Sequence, residues 1–85
     1  MRVEYTKDAG KDLAALSKQA ANRIMDKVDW YAKQSDPCKF AKRLEDPRNL
    51  YRFRIGSYRA IFTIQKGQVV ILLVLAVKDR KDAYR

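Results

Sequence analysis

Arg52, Arg54 and Arg59 are the residues of this chain best placed to do chemistry, because they stand on two short segments joined by Gly56-Ser57. Leu50-Tyr51-Arg52-Phe53-Arg54-Ile55 alternates apolar with basic residues at period two, the pattern of a half-buried strand, and Tyr58 to Ile64 follows it. Glycine takes the positive φ that the first central position of a type II′ turn requires, so Gly56-Ser57 reads as a two-residue hairpin turn. That turn sets Ile55 opposite Tyr58, Arg54 opposite Arg59 and Phe53 opposite Ala60. Tyr51, Phe53, Ile55, Tyr58, Ala60 and Phe62 then share one side of the ladder, and the three arginines share the other. Like charges directly opposed on a sheet are destabilising. An anion compensates them, and phosphate fits the guanidinium fork best. A solvated sheet face would show the same alternation. Against that, Ile61, Leu72 and Val74 are expected among the arginines, and an apolar floor between cationic walls suits a ligand with both bases and phosphates.

Other elements must hold this hairpin. Lys66-Gly67 reads as a second tight connection, pairing Ile64 with Val69 and Ala60 with Leu73 to make a three-stranded meander. Parity then places Val70, Leu72, Val74 and Ala76, followed by Lys78 and Arg80, on the arginine face. Arg2 to Tyr5 permits a short first strand. Thr6 or Asp8 caps a helix with Ala9, Leu13 and Leu16 on one stripe. A second helix runs from about Lys18 to Lys33, with Ala20 or Ala21, Ile24, Val28 and Tyr31 or Ala32 turned inward and Trp30 assigned to helix packing. Gln34-Ser35-Asp36-Pro37 ends it, since the residue before proline is pushed out of the α region. Residues 38–49 are basic and irregular, with Phe40 and Leu44 as anchors and Asp46-Pro47 as a turn. The fold class is α+β: a two-helix hairpin packed on a small, mostly antiparallel sheet, order β-α-α-β-β-β, in a single domain over residues 1-85.

Composition narrows the partners. The 85 residues carry 19 Lys+Arg against 10 Asp+Glu, a formal net charge of +9, so phosphate backbones are the first candidate and an acidic protein the next. One cysteine, Cys38, rules out an internal disulfide and suits a reducing cytoplasm. Val69 to Val77, the longest apolar run, has nine residues against the roughly 18 of a membrane helix, and Met1-Arg2-Val3-Glu4-Tyr5 lacks the apolar stretch of a signal peptide. No histidine and one cysteine leave little to bind a metal, and no cofactor is expected.

The run from Leu50 to Phe62, then an apolar strand, then a basic tail with Arg80 and Tyr84 resembles the RelE/ParE superfamily of toxins from type II toxin-antitoxin systems, over nearly the whole chain. The resemblance implies a compact cytoplasmic toxin neutralised by a cognate antitoxin. In the RelE branch it implies a ribosome-dependent endoribonuclease that cuts messenger RNA by attack of the substrate's own 2′-hydroxyl on the adjacent phosphate. In the ParE branch the implied target is DNA gyrase, without RNA cleavage. By position in the motif, Arg52 and Arg54 match sites occupied by lysines in the best-known RelE-type toxin, Arg59 matches a phosphate-binding arginine, and Tyr84 matches a terminal tyrosine that stacks on a base. Lys78 falls on the family's catalytic arginine, and Asp79-Arg80 stands where many relatives carry a His-Arg pair. A non-enzymatic basic RNA-binding module is the reading from a different class.

Overall fold

The computed structural model describes residues 1–79, so Arg80 and Tyr84 lie outside the described residues. Strand β1, Arg2–Tyr5, leads into helix α1, Lys7–Ala14, and helix α2, Lys18–Ala32. A 3-10 turn at Pro37–Phe40 and a two-residue strand β2, Lys42–Arg43, precede the strands β3, Tyr51–Ile55, β4, Tyr58–Lys66, and β5, Val70–Asp79. The five strands form one sheet in the order β1-β5-β4-β3-β2. β1 runs parallel to β5, and the other neighbours are antiparallel.

Local chemistry accounts for both helices. The Thr6 and Ser17 hydroxyls accept from the amides of Ala9 and Ala20, each satisfying one of the donors that a helix start leaves unpaired. Of the two candidate caps for α1, Thr6 is the one used. Ala9, Leu13, Ile24, Val28, Tyr31 and Ala32 point into the sheet and meet Phe53, Ala60, Phe62, Leu72 and Val74. The rings of Tyr31, Phe53 and Phe62 lie one on the next with 4.2 Å between successive centroids, and form the centre of this core.

The hairpin register is as expected: Ile55 faces Tyr58, Arg54 faces Arg59 and Phe53 faces Ala60. Gly56 has a φ of 60°, and Ser57 is not among the positive-φ residues, as a type II′ turn demands. The second connection differs from expectation. Lys66 pairs with Val70 across a longer loop, so Ile64 faces Leu72 rather than Val69. A bulge then shifts the ladder between Ile61 and Phe62: Phe62 faces Val74, whereas Ile61 faces Ala76. Leu75 is the extra residue, and because side chains alternate strictly along a strand, one inserted residue inverts every face beyond it. Leu72 and Val74 are therefore fully buried beneath the helices and do not lie among the arginines. Ala60 faces Val77, not Leu73.

The segment before β3 and the end of α2 also differ from expectation. The irregular segment contains β2, which pairs Lys42 with Arg52 and Arg43 with Tyr51. Phe40 is no core anchor. It stands 47% exposed with its ring edge-on to Trp30, and Trp30 is equally exposed rather than packed between helices. Both outer strands are short and bear charge, Arg2 and Glu4 on β1 and Lys42 and Arg43 on β2.

Candidate anion site on the outer sheet face

Arg54, Arg59 and Lys78 form one row across three strands, since Arg54 faces Arg59 on one side and Lys78 faces it on the other. Arg52, opposite Ile61 and in turn Ala76, belongs to the next row of the same face. Facing residues on adjacent strands lie about 5 Å apart at Cα, so three cations share roughly 10 Å of sheet. The bulge brings Lys78 here, because it restores the phase that the longer β4–β5 loop had changed. Lys78 is thus on the expected face for a reason that strand parity alone would not supply.

The fold disperses this charge. Lys78 Nζ lies 3.6 Å from Asp12 Oδ1 on α1. The other oxygen of Asp12 accepts the Val77 amide at 2.9 Å. β1 ends at the level of Val74, and past it Thr6 takes over: its amide donates to the Val74 carbonyl and its hydroxyl to the Leu75 carbonyl. Asp12 continues that edge, so one carboxylate closes the strand and holds a cation of the row. Nothing in the local pattern around Asp12 singles it out. The usable signal is the mismatch between a four-residue β1 and a much longer β5, whose remaining amides need acceptors from whatever follows β1.

Arg59 is 5% exposed, the single buried charged residue among those described, and it makes an interaction of its own within the fold. Arg54 is exposed at the rim and borders two spaces, one with Lys39, Lys42 and Arg52 and one against α2. The apolar part of this face is Ile61, Leu75, Ala76 and the buried Leu50, which line a groove of about 340 Å³ with Thr6 and Arg48. Arg48 is fixed by the Asp46 carboxylate at 2.9 Å, and its guanidinium and amide together draw the Asp46 pKa down to about 2. Among the described residues no three His, Cys, Asp or Glu side chains are grouped to hold a metal ion. No described helix is long and apolar enough to cross a membrane.

A two-helix hairpin on a five-stranded sheet, with a cationic row on the face away from the helices, defines a small α+β domain. The family model described as ParE toxin of type II toxin-antitoxin system, parDE, matches residues 3–84, and the chain belongs to this family of the RelE/ParE toxin superfamily. Among solved structures, the archaeal RelE-RelB complex of Pyrococcus horikoshii OT3 contains a chain 30% identical, with a TM-score of 0.72 and 93% of each chain covered. The RelBE toxin-antitoxin complex of Mycobacterium tuberculosis gives a TM-score of 0.76 at 21% identity, covering 93% of this chain and 90% of the other. A chromosomal ParDE system from P. aeruginosa gives 0.71 at 19%, covering 93% and 95%. The last two show the shared fold alone. Comparison with curated protein sequences finds no significant match.

Proposed function

We propose that this type II toxin is a ribosome-dependent messenger-RNA endoribonuclease, and the observation that carries the reading is the cross-strand row of Arg54, Arg59 and Lys78 with Arg52 beside it. Cleavage needs no metal. The 2′-oxygen of the nucleotide bonds to the adjacent phosphorus, the bond to the 5′-oxygen breaks, and the proton lost from the 2′-hydroxyl ends on the departing oxygen. Arginine forks on two strands hold the phosphate in line for that attack and stabilise the extra charge of the transition state. Lys78, tethered to Asp12, closes the cationic wall. For Arg80 and Tyr84, outside the described residues, the family resemblance alone supplies the proposed roles of a further cation and of a base-stacking or proton-carrying ring. The 30% identical RelE chain supports this branch.

Lysates programmed with a defined message, followed by mapping of RNA ends, test the reading. The expected result is messages cut within the translated region and only while ribosomes occupy them. Arg59→Lys should retain part of the activity and Arg59→Ala lose at least about a hundredfold, the effect of removing one preorganised donor to a developing charge. Uncut messages in a lysate where the toxin is folded would overturn it.

The matching family model, together with a chain that contains no histidine to carry protons, favours a second reading: inhibition of DNA gyrase by protein binding. Supercoiling of relaxed plasmid by purified gyrase distinguishes the two, since the endoribonuclease leaves it untouched. Under either reading the partner is a cognate antitoxin, as in the complexes formed by the similar toxins. Its acidic, amphipathic segment would cover Ile61, Leu75 and Ala76, and not Leu72 and Val74, which the core already buries.

A further inference from the structure

A second cationic groove, about 740 Å³ in volume, lies between α2 and the β3–β4 turn. Arg23, Lys27 and Trp30 follow one another at i, i+4 and i+7, so a single stripe of α2 forms one wall, and Arg54 rises from β3 opposite. Asn22 adds an amide and Asp26 the one carboxylate. Among the described residues Arg23, Lys27 and Arg54 form no ion pair. Arg23 and Lys27 are themselves like charges one helical turn apart, an arrangement that weakens an isolated helix. Trp30 stands 47% exposed, with Lys27 Nζ 4.7 Å from its ring centroid. The indole meets Tyr31 and Phe40 only by its edges, so much of its surface stays open to the groove, beside three cations and a single carboxylate.

We propose that this groove binds single-stranded RNA, with phosphates on Arg23, Lys27 and Arg54 and a base against Trp30. Alternating planar and anionic groups are what such a strand presents and what these walls match. An acidic peptide would use the cations and leave the indole idle, and a duplex offers no open base. Arg54 belongs both to this groove and to the arginine row, so a strand seated here continues over the β3 edge toward the phosphate held by Arg59. The groove thereby grips nucleotides flanking the cut. The inference deepens the RNA-directed reading above and rests on it, but its test does not require cleavage.

Trp30 is the only tryptophan of the chain and therefore its own reporter. The full-length protein is titrated with an oligouridylate of about 12 nucleotides, without ribosomes, and indole emission and the anisotropy of the labelled RNA are both followed. Saturable quenching that tracks the anisotropy is the expected result. Arg23→Gln with Lys27→Gln should weaken binding at least tenfold and flatten the plot of log affinity against log salt by about 1.4, the share of two phosphate contacts on a single strand. Trp30→Ala should weaken it about tenfold, and Trp30→Phe should recover much of the loss. Thermal melts verify that each variant folds, and because all three positions are on the surface, an unfolded one is replaced by the corresponding single substitution. RNA binding that leaves the indole unchanged, or equal affinity in the doubly neutralised protein, overturns the proposal. So does quenching by polyglutamate but not by RNA, which would make the groove a protein-docking site. Failure of cleavage with these signals intact would sink the endoribonuclease reading alone.

Discussion

Tyr5 carries its hydroxyl from the end of β1 into the protein, where the oxygen is buried and has no hydrogen-bond partner among the described residues. Burial first, and then the negative charges of Asp29 and Asp26, push its pKa from 10.0 up to about 12. The sign follows from linkage. The folded state keeps the proton that the unfolded chain loses near pH 10, so the associated stability is complete below that pH and is lost as pH rises through about 12. Tyr5→Phe should abolish that part of the alkaline decline. At neutral pH it should leave the protein as stable or about 1 kcal/mol more so, because an unpaired buried hydroxyl is removed without loss of volume. Thermal melts of both proteins at neutral and alkaline pH, with absorbance titration of the tyrosines, check this. A wild type that loses nothing between those limits relative to Tyr5→Phe would contradict the account. Arg59 also shows what residue type conceals. Read from the pattern it is one of three equivalent surface cations, whereas in the fold it is almost fully enclosed. Relief of repulsion with Arg54 is then a smaller effect than loss of its packed stem, so Arg59→Ala lowers stability.

At the scale of elements, the sheet depends on two devices on β5. Asp12 is the first: Asp12→Ala leaves the Val77 amide without its acceptor and frees Lys78, and should cost about 1 to 3 kcal/mol in urea melts. Asp12→Asn keeps an oxygen for the amide and should cost under about 1 kcal/mol, the worth of a partly exposed ion pair. Equal losses in the two variants would mean that the ion pair and not the strand closure matters. The second device is Leu75. Deleting it removes the bulge and forces a choice between expelling Leu72 and Val74 from the core and expelling Val77 while turning Lys78 inward. Either choice forfeits roughly 1.5 to 3 kcal/mol for each large apolar side chain exposed, enough to unfold a domain of this size. The deletion should give no cooperative melt, whereas Leu75→Ala should.

These devices also mark where the sequence stops being legible. Helix stripes, the Gly56-Ser57 turn and the period-two pattern of β3 and β4 are local and strong, and each was readable. β5 was readable as a strand but not in register, because Val69 to Val77 is apolar at every position and parity has nothing to grip. The expected arginine face was accordingly half right: Lys78 and Ala76 belong to it, and Leu72 and Val74 do not. The α2 groove was invisible because Trp30 looks like a core residue until the neighbouring elements are in place.

On the scale of the whole molecule, a chain at +9 with one small core and an apolar strip along a cationic face is built to be covered. An antitoxin that binds only the folded toxin should raise its Tm with concentration, by about 2.7 kcal/mol of stabilisation at a hundredfold excess over Kd. Rising salt should reduce that gain without abolishing it, since part of the interface is apolar. Calorimetry of the toxin with increasing partner checks both. A footprint that avoided the outer sheet face while still blocking toxicity would place inhibition elsewhere. The brevity of the two outer strands acquires its meaning in the interval after the antitoxin is lost. A sheet stripped of its cover is a template for its own kind, and long apolar margins would let released toxins zip into fibres before reaching a target. Here one margin carries Arg2 and Glu4, and the other is two residues long and doubly cationic. The doubly cationic β2 margins of two copies repel one another, and the β1 margin is only four residues long with a charged pair on it, so neither seam offers a long apolar edge from which to polymerise.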